Sequence, residues 1–150
     1  MTAGAHARAE RPVAHESDIR LTLPARPENI AVVRHILGAL GAAIELSPEV
    51  IDDLRLAVTE ACTNVVRHAY PDRTGALDVV VRPTGERLEV VVADSGRGMG
   101  PSPDGRGPGL GLPLIAALAD SFDIERSGPG GSRLVMSFTR KRTAGAMRAL

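Results

Sequence analysis

Two short runs hold the residue types from which a reaction could be built. Glu60-Ala61-Cys62-Thr63-Asn64 sets a carboxylate and an amide one helical turn apart, and Asp94-Ser95-Gly96-Arg97-Gly98-Met99 opens a glycine-rich stretch with a second carboxylate. On a helix advancing about 100° per residue, positions 60 and 64 lie about 40° apart, one above the other. An amide oxygen is a sound Mg2+ ligand, because that ion takes few protein oxygens and keeps waters and phosphate oxygens. A carboxylate beside it can accept a proton from a hydroxyl or water attacking a phosphate. Asp94 ends an apolar run, where a carboxylate is costly to bury unpaired. As acceptor for an exocyclic amine it would favour adenine, since guanine presents a carbonyl at that position. These are the parts of a magnesium-nucleotide site.

Each part also has a plainer reading. Glu60 and Asn64 suit an exposed polar helix face, and Asp94 suits the start of a turn. Gly96 and Gly98 allow positive φ and close approach of a base. Gly105, Gly107, Gly109 and Gly111 let main-chain amides wrap phosphates, with a helix N-terminus following, or else form a linker. Arg67 and His68 either touch a nucleotide or complement the negative end of their helix. Cys62 reads as a core residue and His35 as a packed or surface one. No His/Cys spacing suggests zinc.

Elements that position these residues follow from period and punctuation. Ile19, Leu21 and Leu23 alternate with polar residues up to Pro24, a first strand. Ile30, Val33, Ile36, Leu37 and Leu40 keep helical spacing between Glu28 and Ala43. Ser47-Pro48-Glu49 opens a second helix with a capping hydroxyl, a proline at its first position and an early acid. That helix should run to about Ala69, where Tyr70-Pro71 ends it. Leu77 to Arg82 and Leu88 to Asp94 read as a hairpin around Pro83 to Arg87. Seven glycines and three prolines among the seventeen residues from Ser95 to Gly111 predict a loop. A short helix from Leu112 to Ala119 and strands Ser121–Arg126 and Ser132–Thr139 complete the pattern. The expected fold is α+β, a two-layer sandwich of helices on a mixed, mostly antiparallel sheet.

Size and composition narrow the choices. The 150 residues suit one domain, residues 17 to 140, between an N-terminal tail (1–16) and a basic C-terminal tail (141–150). With three aromatics in the chain, the core must be built from Val, Leu, Ile and Ala. Eighteen basic and eighteen acidic residues cancel, leaving no global field for nucleic acid or an anionic membrane. The lone cysteine excludes an internal disulfide and suits a reducing, cytoplasmic setting. No apolar run approaches the ~20 residues of a membrane span. Lys141, the one lysine, lies in the tail, so neither a Walker loop nor a eukaryotic-type kinase lysine is present.

In this order the motifs resemble the GHKL ATPase superfamily, with its Bergerat nucleotide-binding fold, and within it the bacterial anti-sigma-factor serine/threonine kinases. The run from Leu56 to Tyr70 is similar to the family's N-box. Asp94 to Met99 matches its next box, and Gly107-Pro108-Gly109-Leu110-Gly111 matches the lid glycines. Gly131-Ser132 stands where the family usually has Gly-Thr. The resemblance implies Glu60 as catalytic base, Asn64 as Mg2+ ligand and Asp94 on the adenine amino group. It implies ATP contacts from Arg67, His68, Gly96, Gly98, Met99, Gly107, Gly109, Leu110, Gly111 and Ser132, the last through water. It further implies phosphorylation of an anti-sigma-factor antagonist, sequestration of a sigma factor and a possible homodimer. Alternatives are an ATP-binding regulatory module without kinase activity, or the detached catalytic domain of a two-component histidine kinase.

Overall fold

The computed structural model describes residues 18–96, 111–126 and 130–141. The expected N-terminal tail, and the C-terminal tail beyond Lys141, lie outside these residues. The elements follow in the order β1 (Ile19–Pro24), α1 (Pro27–Ala43), α2 (Pro48–Asn64), β2 (Ala76–Thr84), β3 (Arg87–Asp94), α3 (Gly111–Leu118), β4 (Ser121–Arg126) and β5 (Ser132–Thr139). The strands form one sheet in the order β1-β2-β3-β5-β4, antiparallel at every pairing. The α+β two-layer expectation holds, with no parallel pair among the described strands. Among the described residues, no helix is long and apolar enough to cross a membrane.

Alternation decides which face of the sheet is covered. Leu77, Val79 and Val81 of β2, Leu88, Val90 and Val92 of β3, and Leu134, Met136 and Phe138 of β5 share one core with the helices. Against them pack Val33 and Leu37 of α1, Val50, Leu54, Ala57, Val58, Ala61 and Cys62 of α2, and Ile115 of α3. Each Val, Leu, Ile, Met or Phe among them contributes about 1.5–3 kcal/mol when taken fully out of water. The same parity continues to the strand ends. Asp94 extends the series 88-90-92 and Ser132 opens the series 134-136-138, so both polar residues face the helical layer. They are also register partners.

Three boundaries differ from the sequence pattern. β2 continues through Pro83 to Thr84, leaving only Gly85 and Glu86 as the turn. Pro83 is tolerated because β1 pairs no further along β2 than Val81, so no ladder bond from that side is lost. Gly85 supplies the turn's positive φ of 58°. Ser47 occupies the N-cap of α2, with Pro48 behind it, but forms no side-chain capping bond. Third, the end of the long helix is not α-helical: Val65–Ala69 forms a π-helical turn.

At the end of the sheet remote from Asp94, Arg140 fastens three elements. Its guanidinium donates to Gly85 O (3.0 Å) and Ile44 O (3.1 Å), while its backbone N–H donates to Glu86 O. Arg82 likewise ties the start of β1 to the sheet, through Asp18 at 3.1 Å and Glu89 at 3.1 Å.

Candidate functional site

α2 divides its side chains as its pattern requires. Val58, Ala61 and Cys62 enter the core, Asn64 is 6% exposed, and Glu60 is half-buried on the flank. Thr59 and Thr63 donate their hydroxyls to the carbonyls four residues back, at 2.6 and 2.7 Å, and so are engaged within the helix. Asn64 differs: its Nδ2 is buried with no hydrogen-bond partner among the described residues. Leaving a buried amide unsatisfied costs about 1–3 kcal/mol.

Gly111, the first residue of α3, closes over this pair. A methyl group there would stand 3.1 Å from Asn64 Nδ2, 3.2 Å from Glu60 Oε2 and 3.5 Å from Asn64 Oδ1. Glycine therefore leaves a cradle bounded by an amide and a carboxylate. Rotating the amide about its last torsion exchanges nitrogen for oxygen, so the cradle can offer a metal ligand or a donor to phosphate. No group of three or more His, Cys, Asp or Glu that would hold a metal exists among the described residues. A Mg2+ ion whose remaining ligands are phosphate oxygens and water fits this donor set, and a zinc-type cage does not.

The second half of the site sits at the end of β3. Asp94 is 3% exposed and Ser132 is 2% exposed. Ser132 Oγ donates to Asp94 Oδ2 at 2.7 Å, and Gly96 N–H donates to Oδ1 at 3.0 Å. A carboxylate has about four lone-pair sites, of which the described residues take two, leaving capacity for an exocyclic amine. Gly96 itself plays a different part from the one its sequence suggested. Its φ lies outside the left-handed region, and a Cβ there would fall 2.1 Å from Ala69 O. The glycine is required by the backbone of the π-helical turn pressing on it, not by positive φ.

Arg67 and His68 lie exposed on that turn. Gly98, Met99, Gly107, Gly109 and Leu110 lie outside the described residues, as does the Ser95–Gly111 loop beyond Gly96. His35 is exposed. Cys62 is fully buried, and that burial pushes its thiol up from 9.0 to about 12, which leaves it protonated and inert. Two residues with structural weight escaped the sequence pattern. Tyr70 Oη donates to Ala76 O at 2.6 Å and accepts from Ser95 N–H at 2.9 Å, and Arg73 Nη2 donates to Ser95 O at 3.1 Å. One signal was available for the first: it is the chain's sole tyrosine, placed between a helix end and a glycine.

Comparison with known proteins identifies the family. The model of the histidine kinase-like ATPase domain matches residues 23–138. The serine-protein kinase RsbW of Bacillus licheniformis is 37% identical over 124 residues, covering 71% of this chain and 77% of that protein. RsbW of Bacillus cereus is 34% identical over 121 residues, with 71% and 76% covered. The crystal structure of the RsbU and RsbW domains of Rv1364c from Mycobacterium tuberculosis superposes with a TM-score of 0.65 at 25% identity, covering 81% of this chain. This chain spans 32% of that larger protein. These matches place the chain: it belongs to the histidine kinase-like ATPase family, among the relatives of the RsbW serine-protein kinases.

Proposed function

We propose that this chain binds Mg-ATP between α2 and the end of β3 and transfers the γ-phosphoryl group to a serine or threonine of a partner protein. The observation that carries the reading is the buried Asn64 Nδ2, without a hydrogen-bond partner among the described residues, beside Glu60 at the Gly111 cradle. Mg2+ held by Asn64 would supply charge neutralisation on the β- and γ-phosphates. Asp94, braced by Ser132 and the Gly96 amide, accepts the adenine amino group. Glu60 takes the proton of the attacking hydroxyl as its oxygen bonds to the γ-phosphorus; the bond to the bridging oxygen breaks and ADP leaves with the electron pair. Arg67, His68, Gly98, Met99, Gly107, Gly109 and Leu110 complete the ATP contacts in this reading.

The serine-protein kinase relatives support a protein substrate over the phosphoacceptor histidine of a two-component kinase. By the same kinship, the substrate is an anti-sigma-factor antagonist and the unphosphorylated exchange partner a sigma factor. In this reading the chain works in the cytoplasm, as a homodimer, without direct contact to nucleic acid or membrane. Equal numbers of acidic and basic residues fit that last point.

Glu60→Gln tests the mechanism. With γ-labelled ATP and the cognate antagonist, phosphoserine or phosphothreonine should form about 10²–10⁴-fold more slowly, with nucleotide affinity unchanged. An undiminished rate would remove Glu60 from the chemistry.

A further inference from the structure

The geometry points to Tyr70 as a positioning residue that sets base selectivity from outside the nucleotide pocket, an inference that rests on the adenine role proposed for Asp94. The chain of contacts runs through three backbone segments. Tyr70 follows directly on the π-helical turn. Its hydroxyl joins two segments: it donates to Ala76 O at the start of β2 and accepts from the Ser95 N–H just past β3. Its ring lies where a side chain at residue 75 would be, since a Cβ on Gly75 would fall 1.9 Å from ring carbon Cε1. The same ring approaches Gly96, whose Cβ would meet Cδ1 at 2.9 Å and Ala69 O at 2.1 Å. Arg73 holds the arrangement from outside, with its guanidinium 5.6 Å from the ring centroid and Nη2 bonded to Ser95 O.

Ser95 is thus gripped at both its N–H and its carbonyl, by two residues of one short loop. That grip fixes the next residue, Gly96, whose N–H fixes Asp94 Oδ1. Ser132 holds the other carboxylate oxygen from β5. The orientation of the Asp94 carboxylate therefore has two supports, one from the neighbouring strand and one through Tyr70. A carboxylate aimed by both accepts an amine in one direction only. Freed of one, it can turn away from a carbonyl it would otherwise repel. Tyr70 touches neither Glu60 nor Asn64 in any hydrogen bond described, so its loss should act on base recognition rather than on phosphoryl transfer.

The test compares ATP with inosine triphosphate, which carries a carbonyl in place of the amine, by calorimetry with Mg2+ on the full chain. Wild type should prefer ATP on the order of 10²-fold or more, as a site built to bond one polar group rejects its replacement. Tyr70→Phe keeps the ring against Gly75 and Gly96 but removes both hydroxyl bonds. It should bind ATP about tenfold more weakly, lower the ATP preference by about tenfold, and leave the phosphoryl-transfer rate at saturating ATP near wild type. Arg73→Ala, at an exposed bond, should lower the preference by about two- to threefold. A merely structural role would weaken both nucleotides alike. Retention of the full preference by Tyr70→Phe overturns the inference while leaving Asp94 in place; should that variant not fold, retention by Arg73→Ala overturns it equally. A wild type indifferent between the two nucleotides would overturn the Asp94 assignment instead, and this inference with it.

Discussion

Asn64 is the residue at which function is set against stability. A side chain 6% exposed with an unsatisfied amide nitrogen is a cost to the fold, and the proposed Mg-nucleotide would be its partner. Asn64→Ala removes that cost together with some packing, so the two effects oppose each other. The variant should stay within about 1 kcal/mol of wild type in urea melts while its Mg-dependent ATP binding falls by about 10²-fold or more. Calorimetry showing wild-type uptake would end the assignment. Glu60 is the contrasting case, half-buried on the flank of α2, where the proposed mechanism has it meet an incoming hydroxyl. Both residues were legible from spacing alone, because a straight helix fixes the angle between positions 60 and 64. Their convergence on Gly111 was not, since it depends on where α3 begins, far along the chain.

At the scale of elements, the two halves of the site are joined by contacts that leave no room for a side chain. Gly96→Ala would drive a methyl group into the Ala69 carbonyl, a backbone atom that cannot swing aside. Overpacking of this kind costs about 1–3 kcal/mol, and here it should also weaken ATP binding by tilting Asp94. Gly85→Ala is the useful comparison: its φ is 58° but nothing lies within 4 Å, so about 1–2 kcal/mol of strain should appear with nucleotide affinity intact. Urea melts paired with calorimetry separate the two, and equal ATP affinity in Gly96→Ala and wild type would refute the coupling. These junctions mark where local patterns stop being informative. The alternation of Leu88, Val90 and Val92 already implied that Asp94 faces inward. That Ser132 lies opposite required knowing that β5 pairs with β3 across an intervening helix and strand. Pro83 hid the true length of β2, because a proline's tolerance depends on whether a neighbouring strand needs its N–H. The π-helical turn has no compositional signature in Val65 to Ala69; it arises where the helix must meet Gly96 and Tyr70.

For the molecule as a whole, the proposed site lies at one end of the sheet while the other end is locked by Arg140. Between them lies an aliphatic core sealed tightly enough to hold Cys62 as a thiol up to about pH 12. The unfolded chain releases that proton near the ordinary value of 9.0, so above it the unfolded state binds fewer protons than the folded one. Stability from this group is complete below pH 9 and declines as pH rises toward 12. Between pH 9 and 10.5 the loss should be roughly 2 kcal/mol, seen as a steeper fall for wild type than for Cys62→Ala in urea melts at each pH. Parallel curves for the two proteins would show that solvent reaches the thiol. A different consequence follows from Gly96 and Gly111, the residues that bracket positions 97–110. Each leaves little room for even one added carbon, so a side chain introduced at either position would have to displace Ala69 O or the Asn64–Glu60 pair.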